Sequence, residues 1–228
     1  MRLTRTRLIA GIGSVVTTAA LTATMVGQAQ AGQQNAGERA SATTETTDNT
    51  GDRQSTAPDF LEPSELPADE HTTWFAGDAT AGLPDLPVFC FEGLLPEDGA
   101  WHRDFATDLD TGARQVVIDA GDSGDAAELA GTLEEAAADC AAGWLRDEPG
   151  AVAGWDDHGP VTDAGDSAHV YAVYTAPPEA GTNIALFGVG RTGDVVTLVQ
   201  WGQMGSLGDA PAGDFADSLA TALDRLAP

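Results

Sequence analysis

Apolar residues recur at three- and four-residue steps in the middle of the chain, and this spacing predicts a long helix from residue 123 to about 145. Asp122 or Ser123 can cap its start, and Pro149 with Gly150 ends it. Small residues dominate its inward stripe, so the helix can lie close against its neighbour. The stripe consists of Leu129, Ala130, Leu133, Ala137, Cys140, Ala141 and Trp144.

A second helical stripe lies at the end of the sequence and predicts a helix over residues 211–226. Pro211 suits the first turn of this helix, because its ring fixes a helical φ and the missing N–H has no partner there anyway. The inward positions are Phe215, Leu219, Ala222, Leu223 and Leu226. One face of this helix is therefore expected to be buried.

Short runs of alternating or continuously apolar residues predict β-strands before, between and after the helices. The turn Asp110-Thr111-Gly112 joins two of them as a hairpin, and Thr192-Gly193 marks a second hairpin turn. The predicted strands are residues 72–76, 101–108, 113–119, 151–155, 169–175, 183–191 and 194–201.

The last predicted hairpin is apolar on both of its faces. A two-residue loop would place Arg191 opposite Asp194. That register assigns Phe187, Val189, Val196 and Leu198 to one face, and Ile184, Leu186, Gly188, Gly190, Val195, Val199 and Trp201 to the other. The hairpin is therefore expected to be central and covered on both sides, with the two glycines admitting a helix or a ligand.

These elements predict an α+β fold, in which two long helices pack on a mainly antiparallel twisted sheet within a single domain, residues 59–228. Residues 1–31 have the basic start, the apolar run and the small-residue ending of a signal peptide, so the protein is expected to be secreted. Retention of that segment as a membrane anchor is the alternative. The polar residues 32–58 are expected to form a disordered linker.

The charge of the chain narrows the classes of partner. It has no lysine, and its formal net charge is −26. Beyond residue 31 there are seven arginines against 36 acids, which gives the mature chain −29. Nucleic acid and anionic lipid are therefore excluded as expected partners, as is stable membrane insertion after signal removal. Such acidity suits a soluble surface, or a habitat of high salt in which carboxylates are screened.

The two cysteines, Cys90 and Cys140, are expected to form a disulfide, because exported proteins fold in an oxidising environment. Two buried free thiols are the alternative. A zinc site is not expected, since no further ligands cluster with them, and no cofactor is predicted.

No catalytic motif is present in the sequence. The four histidines lack metal-ligand spacing, and no serine lies in a nucleophile-elbow motif. The acids Asp119, Asp122, Asp125 and Glu128 could bind calcium, although their position at a helix start explains them better. No catalytic residue and no metal site are therefore predicted.

A small set of residues could line a ligand pocket. His169 alternates with Tyr171 along a strand, and Arg191 lies at the hairpin turn. Trp201, Gln203 and Met204 leave the last strand beside two glycines, where an aromatic ring, an amide and a thioether could meet a ligand. The alternative for Trp201 is a core residue at the end of the sheet.

The order of elements is strands, a cysteine-bearing helix, more strands and a closing helix. The helix contains Ala138-Asp139-Cys140-Ala141-Ala142-Gly143-Trp144, and a late strand contains Gly193-Asp194-Val195-Val196-Thr197-Leu198-Val199. In these features the chain resembles the extracellular sensor domains of actinobacterial PknH-type kinases and related secreted proteins. The resemblance covers about residues 59–228, and the sequence contains no kinase domain. It implies a ligand-sensing or binding domain with a cleft, usually of unknown ligand, and it supplies no catalytic residues.

The expected function is therefore a secreted, non-enzymatic ligand-binding or sensor-like module for a small molecule or an extracellular partner. Two other functions stay open. One is a secreted hydrolase whose site is assembled from scattered residues, and the other is an interaction or inhibitor protein that acts through a surface loop.

Overall fold

In the computed structural model, which describes residues 56–68 and 71–227, eight strands form one antiparallel sheet with two long helices. The predicted signal peptide and residues 32–55 of the predicted linker lie outside this range. The elements, in chain order, are β1 (Phe75–Ala76), β2 (Thr80–Ala81), β3 (Ala100–Ala106), β4 (Gly112–Asp119), α1 (Ser123–Asp147), β5 (Val152–Pro160), β6 (Ser167–Ala176), β7 (Asn183–Thr192), β8 (Val195–Met204) and α2 (Ala212–Leu226).

The strand order is β1-β3-β4-β8-β7-β6-β5, and β2 pairs with β3 beside β1. The last strand, β8, therefore lies between β4 and β7 in the middle of the sheet. The prediction of a mainly antiparallel α+β domain with two long helices is confirmed. Of the helices within residues 56–68 and 71–227, none combines the length and the apolar character that a bilayer crossing requires.

Helix α1 packs on one face of the sheet, which we call the α1 face, and lies over β5, β6, β7 and β8. Its start is capped by Asp122, whose carboxylate accepts hydrogen bonds from the amides of Gly124 at 2.7 Å and Asp125 at 3.0 Å. These bonds lower the pKa of Asp122. Val88 and Phe91, from the irregular segment before β3, extend the same core.

Helix α2 packs on the opposite face, which we call the α2 face, and lies over β6, β7 and β8. It comes close to the sheet because β7 carries Gly188 and Gly190. A Cβ atom at Gly190 would lie 2.7 Å from Cδ1 of Leu223, and one at Gly188 would lie 3.0 Å from Cδ2 of Leu219. The two glycines thus admit a helix, as predicted.

The N-terminal segment covers the part of the α2 face that α2 does not reach. Leu61, Leu66 and Trp74 are buried there. The amide side chain of the fully buried Gln115 holds this segment, since its Oε1 accepts a hydrogen bond from Leu61 N at 2.9 Å. Its Nε2 donates to Oγ1 of Thr197 at 3.2 Å.

The hairpin β7–β8 has the predicted faces but not the predicted register. Thr192 pairs with Val195, and Arg191 pairs with Val196 rather than with Asp194. The loop is still two residues long, but it consists of Gly193 and Asp194. Because the pairing differs by two residues, each side chain stays on its predicted face.

Two strand predictions are wrong in extent. The expected strand over residues 72–76 is confined to Phe75–Ala76, and Thr80–Ala81 forms a second short strand that the sequence did not indicate. Strand β5 continues through the polar residues to Pro160, five residues beyond the prediction. It lies at the edge of the sheet and is largely exposed, so burial imposes no apolar alternation on it.

Candidate ligand-binding groove

Two adjoining cavities, of about 540 and 460 Å³, form one groove on the α1 face. Both are lined by Phe89, Asp110, Gln200 and Gly202. The groove lies beyond the C-terminal end of α1, where the helix leaves the sheet uncovered. We call it the α1-face groove.

The floor of the groove is the sheet itself. Thr175 on β6 pairs with Asn183 on β7, which pairs with Met204 on β8. Gln200 lies further along β8, opposite Arg114 on β4. All five side chains point to the α1 face, because successive residues of a strand alternate between the two faces.

Three of the floor residues offer hydrogen-bonding groups to the groove. The side chains of Thr175, Asn183 and Gln200 make no hydrogen bond to another residue of the described chain. A hydroxyl or a primary amide can both donate and accept. The floor therefore presents neutral polar groups that a ligand can satisfy.

Two aromatic residues form the walls. Phe89, from the segment before β3, has its ring 6.2 Å from that of the buried Phe187. Trp144 lies in the last turns of α1. Cys90 directly follows Phe89, and Cys140 lies one helical turn before Trp144. These two cysteines form a disulfide. The expected disulfide therefore ties the two walls together.

The one arginine that lines the groove is neutralised by a nearby acid. Arg114 forms a bidentate ion pair with Asp104. Its Nε donates to Oδ1, and its Nη2 donates to Oδ2 at 3.2 Å. Its Nη1 donates to the carbonyl of Leu86 at 2.9 Å and so holds the segment that carries Phe89. Besides this pair, the charged residue of the lining is Asp110, at the β3–β4 turn.

The predicted ligand residues are divided among separate places. Gln203 and Met204 line the α1-face groove. Trp201 and Gln203 line a smaller cavity of about 300 Å³ on the α2 side, with His71. Trp201 is buried in the α2-face core, as the alternative for it supposed.

His169 and Tyr171 lie together on the α1 face of β6, and they line neither cavity of the groove. Their rings stack with centroids 4.4 Å apart, and His169 Nε2 lies 2.6 Å from Oδ1 of Asp157. The same carboxylate accepts from the amide of Gly159 at 2.8 Å, beside the irregularity in β5. The hydrogen bond from His169, followed by that from Gly159, lowers the pKa of Asp157.

The histidine–aspartate pair corresponds to two of the three members of a hydrolase triad, but no nucleophile is hydrogen bonded to it in the described chain. Within the described chain, His169 is hydrogen bonded to Asp157 and to no serine, threonine or cysteine. Burial raises the pKa of Tyr171 to about 12, with further contributions from Glu134 and Asp157. Its phenol is therefore protonated at neutral pH, and the cluster acts as a brace between β5 and β6.

Arg191 lies far along β7 from the groove and stabilises the β7–β8 turn. Its Nη1 donates to Oδ2 of Asp166 at 2.9 Å and to the carbonyl of Gly193 at 3.1 Å. The same Asp166 oxygen accepts from the amide of Gly193. These contacts explain the residue without a ligand.

Among residues 56–68 and 71–227, no group of three or more histidines, cysteines or acids is placed to hold a metal ion. The acids at the start of α1 include the cap residue Asp122, as the helix-start interpretation required. Sequence reasoning did not identify the groove residues Phe89, Trp144, Thr175 and Gln200. One feature of the sequence could have pointed to Trp144, because it places a large ring at the end of a helical stripe made mainly of small residues.

Comparison with known proteins finds no matching family model, and no curated protein matches the chain. Among solved structures, the chain is similar to the extracellular domain of PknH from Mycobacterium tuberculosis, at 10% sequence identity and a TM-score of 0.41. The match covers 74% of this chain and 99% of that one. This is a structural resemblance and not membership of a family, and it carries no argument about ligand or activity.

Proposed function

We propose that this protein is a secreted, non-enzymatic binding module of the sensor type, whose ligand occupies the α1-face groove. The observation that carries the proposal is the lining of that groove. Three neutral hydrogen-bonding side chains without partners in the described chain line it together with two aromatic residues, Phe89 and Trp144. Apolar walls with a few convergent polar groups are the usual composition of a small-ligand site.

The construction of the groove also supports binding. The floor belongs to central strands, and the walls are joined by the Cys90–Cys140 disulfide. A site that is ordered before the ligand arrives loses less conformational entropy on binding. The groove thus combines unused hydrogen-bonding capacity with a fixed shape.

The predicted signal peptide and the disulfide support an extracytoplasmic location, because disulfides persist in oxidising compartments. A hydrolase would need a nucleophile within hydrogen-bond reach of a base. His169, which is paired with Asp157, lines neither cavity of the groove. Binding without chemistry is therefore the function that we favour.

The test is native mass spectrometry of the exported protein, purified from the medium of its producing cells. The wild type is compared with Trp144→Ala and with Trp155→Ala. Trp155 is a matched control because it is 48% exposed on β5 and does not line the groove. We expect a bound species on the wild type and on the Trp155 variant, and its loss from the Trp144 variant.

Two results would contradict the proposal. One is a bound species that the Trp144 variant retains as well as the wild type does. The other is the absence of any bound species from all three proteins. Circular dichroism of each variant shows whether the fold is intact, so that loss of the ligand is not confused with unfolding.

A further inference from the structure

The groove differs in charge from the rest of the molecule. The chain carries 36 acids against ten arginines. The lining of the groove contains Asp104 and Arg114, which neutralise each other, and Asp110. An anionic ligand would be repelled by the net charge of the protein, and it would meet no free cation in the groove. A strongly cationic ligand would find one carboxylate there and many more elsewhere on the surface.

The polar groups of the floor match hydroxyl groups. The hydroxyl of Thr175 and the amides of Asn183 and Gln200 can donate and accept within one site. A ligand hydroxyl also does both. A carboxylate only accepts and an ammonium only donates, so either ion would leave half of these groups without partners.

The walls supply the complementary apolar contacts. Phe89 and Trp144 both line the larger cavity of the groove. A pyranose ring has hydroxyls around its rim and C–H groups on its faces, so it can contact aromatic rings with a face while its rim hydrogen bonds to amides. Aromatic side chains also bring a large contact area at low entropic cost.

The floor does not suit an extended peptide bound by strand addition. That mode needs a sheet edge with unpaired backbone groups. The strands of the floor are β4, β8, β7 and β6, and each is paired on both sides. The groove therefore offers side chains rather than backbone to its ligand.

From the charge, the polar groups, the walls and the paired floor, we propose that the ligand is a linear neutral oligosaccharide lying along both cavities. This inference rests on the function proposed above. The two cavities share Gln200 and Gly202 and are open to solvent, so a chain of several sugar units can pass through both. Gln200, at their junction, is the central hydrogen-bonding residue.

The experiment is an NMR titration of the mature protein with chitohexaose, cellohexaose and maltohexaose. The indole signal of Trp144 is assigned with Trp144→Phe, and that of Trp155 serves as the internal control. At least one hexasaccharide is expected to shift the Trp144 indole and the Gln200 side-chain amide and to leave the Trp155 indole in place. Gln200→Ala should weaken binding roughly ten-fold, the size of one net hydrogen bond.

Two further measurements separate the ligand classes. Binding of a neutral sugar should not change between 0.01 and 1 M sodium chloride, a range over which the screening length falls from about 30 to about 3 Å. A hexa-galacturonate and a neutral Gly-Ser hexapeptide are titrated in parallel, and neither should bind.

The sugar proposal is overturned if none of the three hexasaccharides binds, if the peptide or the anionic sugar binds instead, or if binding leaves Trp144 unchanged. A native bound species that depends on Trp144, together with failure of all three sugars, would leave the binding function standing and refute the ligand class. Failure of both experiments would refute both.

Discussion

The two faces of this sheet are covered in different ways. On the α2 face, Gly188 and Gly190 let a helix lie directly on β7, and the N-terminal segment completes the cover. On the α1 face, α1 covers β5 to β8 and then ends, and an irregular segment tied by Cys90–Cys140 covers β3 and β4. The groove lies between these two parts of the α1 cover.

The comparison shows how one fold can combine a close-packed side with a binding side. A helix that approaches a glycine-bearing strand leaves no space between side chains and sheet. A cover made of two pieces leaves a gap where they meet, and the gap needs a fixed width to be useful. The disulfide supplies that constraint on the α1 face, and tight packing makes one unnecessary on the α2 face.

The largest expected effect is loss of the disulfide. Cys140→Ser opens a loop of 50 residues, and the chain-entropy model gives about 4 kcal/mol less stability. Denaturant unfolding under oxidising conditions measures this loss. Under reducing conditions the variant and the wild type should unfold almost together. Equal stability in oxidising buffer would show that the α1 face does not depend on the bond.

The second prediction compares two glutamines on opposite faces. Gln115→Ala leaves the buried amide of Leu61 without its acceptor and should cost about 1–3 kcal/mol, with a further loss from the cavity. Gln200→Ala removes a half-buried amide that has no partner in the described chain, and should change stability by less than about 0.5 kcal/mol. Thermal unfolding of both variants measures the two losses of stability. Similar losses would contradict the expected difference between the two faces.

The third prediction concerns the close approach of α2. Gly190→Ala places a methyl group 2.7 Å from Leu223 and should destabilise the fold by about 1–3 kcal/mol through overpacking. Gly154→Ala on β5 is the control, because its nearest neighbour there, Leu207 Cδ1, is 3.7 Å away. Chemical denaturation should find the control neutral or slightly stabilised. A neutral Gly190 variant would mean that α2 can shift outward freely.

The smallest expected effect is the pH dependence of the brace on β5. The folded pKa of Asp157 is lowered, so its contribution to stability is present above the ordinary carboxyl pKa and is lost as the pH falls through the folded value. Asp157→Asn should therefore lower the melting temperature slightly at pH 7 and not at pH 2. The neighbouring Asp156→Asn is the control. A difference that persists in strong acid would assign the effect to packing.

The sequence predicted the faces of β7 and β8 correctly, because the alternation of large apolar residues survives a shift of two residues. It did not predict the register, since Thr192-Gly193 and Gly193-Asp194 are both acceptable hairpin turns. The edge strand β5 was underestimated because half of it carries polar residues that no core contact selects. Helix α1 was predicted well because its stripe and its cap, Asp122, are both local signals.

The groove could not be predicted in the same way. Its lining combines Phe89, Trp144, Thr175 and Gln200, which are far apart in the chain and belong to four different segments. Their meeting depends on strand order and on where α1 ends, neither of which a local pattern specifies. Gln203 and Met204, which lie at a strand end beside glycines, line the groove. Arg191 lies at the β7–β8 turn instead, where it contacts Asp166.

The position of β8 has a consequence for how the chain acquires its structure during synthesis. The ribosome releases β3, β4 and α1 first, yet the strand that joins them to β7 is among the last to emerge. Until residue 204 has left the exit tunnel, one side of β4, including Val116 and Ile118, lacks its neighbour. The sheet is therefore completed only once β8 is in place, and a chain truncated before β8 would expose unpaired edges on β4 and β7 that favour aggregation.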